Sequence, residues 1–264
     1  MPQPKYQQIA DELREQIASG KLTPGAQLPT EIELREKNDA SRNTIRDAIK
    51  RLISLGLVEA RPGQGTFVVQ KIDPFVTELP RSAESGEESS EGPKYLSAVS
   101  MAHRRPRLST PKVEVQVPRE EICRRLRIPP GTQVVSRHQE RFIDDIPWSL
   151  QTSYYLIEFV LGGQAAPDLL MAKNIDDGAV RYIESMTGIK QVGIREWITA
   201  RNPDRIEQNF FNIAHDATMF QTFRTGFDTE GKPIRVTETV CPADRNQFIV
   251  NIGEVPPPQY EWEI

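Results

Sequence analysis

Ser41-Arg-Asn-Thr-Ile-Arg46-Asp-Ala-Ile-Lys50-Arg-Leu-Ile-Ser-Leu-Gly56-Leu-Val58-Glu-Ala-Arg61-Pro-Gly-Gln-Gly65-Thr-Phe-Val68 is the stretch whose reading decides the N-terminal fold. Ser41 is a helix N-cap residue, and Ile45, Ala48, Ile49, Leu52 and Leu55 form one apolar stripe that stops at Gly56. The opposite face presents Asn43, Arg46, Asp47 and Lys50. Leu57 to Arg61 and Thr66 to Gln70 are short β-prone runs, and Pro62-Gly-Gln-Gly65 between them is a hairpin signal.

Upstream, Ile9, Leu13 and Ile17 share a helical stripe with Tyr6 and Ala10 beside it, and Gly20 is placed to end that helix. Thr23-Pro-Gly25 is a turn, and Thr30 with Glu33 forms a capping box for a short helix that carries Leu34 inward. Three helices, a turn of about three residues between the second and third, and then a hairpin describe a winged helix-turn-helix. A third helix of about 14 residues fits the ~12 Å major groove with its N-terminal side chains toward base edges. Its free N–H groups and Ser41 face phosphate at the same end. A basic helix face alone reads as a solvated surface. Here the cap, the tight turn and the glycine-rich hairpin agree on a duplex.

The 264 residues hold 37 acidic and 33 basic side chains, 38% hydrophobic residues and two cysteines. That length suits one large domain or two modest ones, and wholesale disorder is excluded by apolar content and small net charge. The charge is uneven. Residues 1–72 carry 11 basic and 9 acidic side chains, with Arg42, Arg46, Lys50, Arg51 and Arg61 crowded into 41–66. A local basic surface on an acidic chain points to a small anionic contact patch. No run reaches the ~18–20 apolar residues of a membrane span, and the first residues lack a signal peptide's apolar stretch, so a cytoplasmic protein is expected. Cys123 and Cys241 have neither CxxC nor His spacing, and two buried thiols are expected rather than a disulfide or zinc site.

Residues 73–93 contain six acidic residues, one basic residue, four serines and three prolines, the composition of a flexible linker. Beyond it, strands are expected at 111–117, 132–143, 148–155, 191–200, 219–227, 234–241 and 246–252, with helices at 119–127, 177–187 and 204–213. Hairpins interspersed with single helices give an α+β fold. The expected divisions are a DNA-binding domain at 1–72, the linker at 73–93, a second domain at 94–253 and a Pro-rich tail at 254–264.

Tyr6-Gln-Gln-Ile-Ala, Gly20-Lys-Leu-Thr-Pro-Gly25, Leu28-Pro-Thr-Glu31, Ser41-Arg-Asn-Thr-Ile-Arg46, Gly56-Leu-Val and Gly63-Gln-Gly-Thr-Phe-Val68 together resemble the N-terminal domain of GntR-family bacterial transcription regulators. The resemblance implies that Arg42 and Arg46 contact base or phosphate, that Ser41 and Thr44 contact phosphate, and that Gly63, Gln64 and Gly65 enter the minor groove. Asn43, Lys50, Arg61 and Thr66 complete the candidate DNA surface. This chain has Ile32 where many members have Arg, and Asp39 where a turn glycine is usual.

Leu126-Arg-Ile-Pro-Pro-Gly131, Arg141-Phe-Ile-Asp-Asp-Ile-Pro147, Phe227-Asp-Thr-Glu-Gly-Lys-Pro233 and Ala243-Asp-Arg-Asn-Gln-Phe248 resemble the UTRA effector domain of the HutC subfamily. That resemblance implies a chorismate-lyase-like antiparallel sheet with helices, a small-molecule pocket and a homodimer. From strand alternation, Arg137, Gln139 and Arg141 share one face of their strand, and Gln151, Ser153 and Tyr155 share one face of the next. Glu196, among Val192, Ile194 and Ile198, is a carboxylate on an apolar face and needs a partner, either a structural arginine or a ligand. Compared with sugar-phosphate-binding members, Arg141 matches the second phosphate arginine. Gln139 replaces the first, Gln151 a sugar-binding Glu, and Arg235 a later Glu. This argues against a hexosamine phosphate and for another anionic effector. Trp148, Tyr154 and Phe142 are available for an apolar body, or else belong to the core.

The function implied is a ligand-responsive repressor that binds an inverted-repeat operator of double-stranded DNA as a homodimer, with half-sites ~34 Å apart, and is released by a small-molecule effector. The expectation includes no catalytic residue, metal or cofactor and no membrane partner, with association to the bacterial nucleoid when DNA is bound. Two alternatives stand beside it: a chorismate-lyase-like enzyme fused to a DNA-binding head, and an effector-independent DNA binder. His103, His138 and His215 are the only histidines and lie in no nucleophile motif.

Overall fold

A computed structural model describes residues 3–61, 63–69, 74–79, 93–161 and 165–252. The chain divides into two compact units, Met1–Asp73 and Pro74–Ile264.

In the first unit, α1 (Lys5–Ala18), α2 (Glu31–Asn38) and α3 (Arg42–Ser54) precede the antiparallel hairpin of β1 (Val58–Arg61) and β2 (Gly65–Val68). Ile9, Ala10, Leu13, Leu34, Ile45, Ala48, Leu52, Val58 and Val68 make one core, with Ile17 and Ile49 packed at its margin. Leu55, the last position of the expected stripe, is instead 49% exposed. The helix ends at Ser54, and the chain turns at Gly56 (φ 67°) to deliver Leu57 and Val58 to the core in its place. The capping box forms as expected: the Thr30 hydroxyl accepts the Glu33 N–H at 3.3 Å and the Glu33 carboxylate accepts the Thr30 N–H at 2.7 Å. The Thr30 N–H, and the Thr30 hydroxyl that donates to Glu33 Oε2 at 2.9 Å, hold the Glu33 carboxyl below its ordinary value.

Asp39 ends α2 in the left-handed region (φ 44°, ψ 56°). A side chain there crowds its own carbonyl, so Asp39→Gly is expected to stabilise the head by about 0.5–1 kcal/mol, read from denaturant midpoints. A lowered midpoint would mean that the Asp39 carboxylate contributes more than its backbone strain costs.

The second unit contains β3 (Phe75–Glu78), α4 (Pro93–Met101), β4 (Pro106–Leu108), β5 (Lys112–Gln116), α5 (Glu120–Leu126), β6 (Val134–Ile143), β7 (Ile146–Leu156), α6 (Ala179–Thr187), β8 (Gly193–Arg201), α7 (Arg205–Phe211), β9 (Met219–Phe227), β10 (Pro233–Pro242) and β11 (Asn246–Ile249). One seven-stranded sheet runs β4-β6-β7-β10-β9-β8, with β5 also paired to β6, and every pairing in it is antiparallel. The β6–β7 hairpin turns on Asp144 and Asp145, both at positive φ (53° and 65°), which suits the right-handed twist of the strands. On one face α5 packs Ile122 and Leu126 into a core with Tyr154, Phe223 and Val236. Cys123 and Cys241 are buried free thiols.

The expected linker needs correction over part of its length. Phe75–Glu78 is a strand, paired in parallel with β11 in the register Asn246↔Phe75 to Ile249↔Glu78. Its partner lies some 170 positions downstream, so no local pattern announced it. Residues 80–92 and the tail at 254–264 lie outside the described residues, as does Pro62 of the expected hairpin turn.

His138, on the α5 side of β6, shares a hydrogen bond of 2.8 Å with Thr152 Oγ1, and burial pushes its imidazole below the ordinary 6.5. An imidazole harder to protonate folded than unfolded supports stability that is complete above about pH 6.5 and is lost as pH falls through the lower folded value. Melting temperatures between pH 7.5 and 5 should therefore fall less steeply in His138→Gln than in the wild type. Superimposable profiles would remove His138 from the acid response.

Candidate nucleic-acid interface and effector cavity

In the head, the Ser41 hydroxyl caps α3 by accepting the Thr44 N–H at 3.1 Å and lies 2.8 Å from Thr44 Oγ1. This leaves the preceding N–H groups of the helix end available to an anion. Arg42, Asn43, Arg46 and Lys50 all project into solvent. Glu31, at the start of α2, reaches both arginines: Oε2 lies 3.2 Å from Arg42 Nε and Oε1 lies 3.4 Å from Arg46 Nε. Glu31 closes the Leu28-Pro-Thr-Glu31 motif, and no local pattern marks it as the partner of these arginines. Exposed pairs of this kind are worth ~0–1 kcal/mol, so they orient the guanidinium groups without locking them away from phosphate or base.

At the hairpin tip Gly63, Gln64 and Gly65 are exposed and Thr66 is half-buried. Gly65 has φ 125°, and a Cβ there would sit 2.4 Å from Gln27 Nε2, which itself donates to the Gln64 carbonyl at 2.8 Å. Backbone bonds from Leu28 N–H to the Thr66 carbonyl and from Val68 N–H to the Ala26 carbonyl brace the hairpin from the segment before α2. Arg61 is engaged within the hairpin, 2.6 Å from Glu59 and with its guanidinium 4.4 Å from the Phe67 ring centroid. Ile32 is exposed, an apolar group at the position where the resemblance led to arginine.

In the second unit, register puts polar side chains in rows across one sheet face. Arg137, Ser153, Thr237, Arg224 and Glu196 are successive cross-strand partners, as are Gln139, Gln151, Thr239 and Thr222. Above part of this face is a cavity of about 50 Å³. Its floor is Arg141, Gln151, Glu196, Thr222, Arg224, Thr237, Thr239 and Cys241, and its walls and roof are Trp148, Tyr95 of α4, Phe75 and Thr77 of β3, and Asn246 and Phe248 of β11. Arg141 donates to Gln151 Oε1 and stacks 4.5 Å from the Tyr95 ring centroid. Glu196 pairs with Arg224 at 2.7 Å, so the carboxylate expected to need a partner has a structural one and still lines the cavity. Burial pushes the Tyr95 phenol and the Cys241 thiol each up to about 12, keeping both protonated at neutral pH.

Four expected effector residues lie off this lining. Arg137 donates to the carbonyls of Asp168, Leu169 and Met171 through Nη1 and of Lys173 through Nη2, at 2.6–3.2 Å. The Asp168 and Met171 carbonyls also accept the Met171 and Lys173 N–H groups, and the one guanidinium gathers all four carbonyls. Gln139 donates to the Ser109 carbonyl and Asn174 Oδ1, and Ser153 bonds Thr237 Oγ1 at 3.0 Å. Arg235 is wholly buried on the same sheet face as Thr237, donating to Gln191 Oε1 at 2.8 Å and Thr237 Oγ1 at 2.9 Å, and so braces the floor from one side. Of the aromatic residues considered, Trp148 lines the cavity and donates to Asn246 Oδ1 at 2.9 Å. Tyr154 sits in the core on the opposite face, and Phe142 packs against Phe210 and Arg107. The threonines at 237 and 239 alternate along β10 and were legible by period two. Tyr95, Phe75 and Phe248 carried no such signal.

A capped basic helix with a braced wing, followed by a sheet unit with a roofed polar cavity, defines a two-unit DNA-binding regulator. Comparison with known proteins agrees: residues 5–68 match the family described as bacterial regulatory proteins, gntR family, and residues 102–247, more than half of the chain, match the UTRA domain. The chain belongs to the GntR-family transcription regulators that carry a UTRA domain. It is 25% identical over 251 residues to the HTH-type transcriptional repressor NagR of Bacillus subtilis, covering 94% of each chain. It is 46% identical over 68 residues to the mannosyl-D-glycerate transport/metabolism system repressor MngR of Escherichia coli, covering 26% of this chain and 28% of that one. Among solved structures, PhnF from Mycobacterium smegmatis has the same fold, with a TM-score of 0.54 at 20% identity over 93% of this chain and 99% of that one. No helix among the described residues is long and apolar enough to cross a membrane.

Proposed function

We propose that this transcription regulator is a homodimeric, ligand-responsive repressor, with a DNA-binding head at 1–72 and an effector unit that begins with β3, that leaves an inverted-repeat operator when a small anionic effector enters the sheet cavity. The observation that carries the reading is the cavity roof. Phe75 and Thr77 close the cavity from β3, the first described element after the head. A ligand that binds more tightly to one placement of β3 than another changes how the head is tethered, and by linkage DNA disfavours that ligand equally. NagR and MngR are named as repressors, which supports the direction of control. Operation in the cytoplasm and at the nucleoid belongs to the same reading, and no catalytic role is assigned to the cavity.

The homodimer is supported by β8. It ends the sheet order, and its outer edge is unpaired among the described residues. Trp197 and Ile198 on it are 53% and 39% exposed. A nine-residue edge with exposed apolar groups invites pairing unless covered, and a second copy would cover it.

Footprinting on the promoter of its own gene, with the metabolite pool added in fractions, tests the reading. Protection of two half-sites on one face of the duplex, lost with a particular fraction, is expected. Uniform weak protection unaffected by every fraction would refute it.

A further inference from the structure

Glu31 is the first residue of α2, and its carboxylate reaches across to α3, where Oε2 accepts from Arg42 Nε at 3.2 Å and Oε1 lies 3.4 Å from Arg46 Nε. The two arginines stand four residues apart on one side of α3, with side chains 68% and 56% exposed. Left alone, such long exposed side chains occupy many rotamers, and ordering them on a duplex costs binding free energy. One carboxylate shared between them has already narrowed that choice. It holds each guanidinium by Nε, the group beside the stem, and leaves the outer Nη1 and Nη2 fork, which matches O6 and N7 of guanine, for a base. The same carboxylate lowers the formal charge of the three side chains from +2 to +1 on the surface that phosphate approaches.

We propose that Glu31 sets the sequence discrimination of the head. It positions Arg42 and Arg46 for operator bases, and as an anion at the interface it weakens attachment to duplexes that offer phosphate alone. The inference rests on the reading of α3 as the operator-contacting helix and adds a role for a residue of α2. Discrimination is a difference between two affinities, and one group can act on both. Non-specific binding is almost wholly phosphate attraction, so an anion beside the arginines subtracts from it. At the operator the same repulsion is offset by a fork already ordered when it meets the base edge.

Fluorescence anisotropy at fixed salt, on the promoter fragment protected in footprinting and on a scrambled duplex of the same length, compares the full chain with Glu31→Gln. The amide keeps the size of the side chain and removes its charge. Binding to the scrambled duplex is expected to tighten about 3–10-fold with a salt slope steeper by about one, while operator affinity holds or falls, so that their ratio drops at least about threefold. Glu31→Asp, which keeps the charge on a shorter stem, should leave the scrambled affinity at the wild-type level and lower that for the operator about threefold. An unchanged ratio in Glu31→Gln would overturn the proposal. So would equal losses on both duplexes with a lowered melting temperature, the mark of a damaged head. Failure of the α3 reading would look different: Arg46→Ala would then titrate like wild type on both duplexes.

Discussion

Arg46→Ala is expected to weaken operator binding by about 1–3 kcal/mol, roughly 5–150-fold at fixed salt, if its guanidinium reads a base edge. Arg46 stands one turn into α3, on the face opposite Ile45, Ala48 and Leu52, which are wholly buried. With that face locked into the core, the arginine has only the outward direction. Its present partner, Glu31 at 3.4 Å, is an exposed pair worth ~0–1 kcal/mol, less than a bidentate contact with guanine returns. Fluorescence anisotropy on operator and scrambled duplexes decides the role. A loss confined to the operator identifies a base contact, whereas a uniform loss with a salt slope shallower by about one identifies a phosphate contact. Unchanged titrations on both duplexes would take Arg46 out of the interface.

Arg141→Ala should act at the other end of the molecule. Operator affinity without effector is expected to stay, while the effector concentration giving half-release rises roughly 10–150-fold, the equivalent of losing a charge-assisted hydrogen bond of about 1.5–3 kcal/mol. The reason is positional: Arg141 lines the cavity, where it donates to Gln151 Oε1 and stacks on the Tyr95 ring. The check is half-release measured with the inducer found by promoter footprinting. Normal induction by the variant would exclude Arg141 from effector binding.

The two arginines of β6 show how far sequence could go. Arg137 and Arg141 have the same chemistry and the same face of one strand, and alternation treats them alike. The difference arises because four carbonyls at residues 168–173 come to rest over Arg137 and take its N–H groups, whereas Tyr95 and Gln151 leave Arg141 at a cavity wall. Glu196 was legible as a carboxylate requiring a partner, but Arg224 became that partner only through the β8–β9 register. By contrast the β6–β7 turn at Asp144-Asp145 and the helix at Glu120–Leu126 follow from neighbours in the chain and stand where expected.

What the amino-acid order settled alone was therefore the head: caps at Thr30 and Ser41, a left-handed Asp39, and an apolar stripe with arginines opposite it are all decided within a few residues, because helix ends and turns are short-range hydrogen-bonding problems. The tertiary structure alone decided the cavity. Its roof joins β3 to a strand some 170 positions away, and its wall borrows a phenol from α4, so its shape depends on pairings between distant segments that leave no periodic trace in the chain.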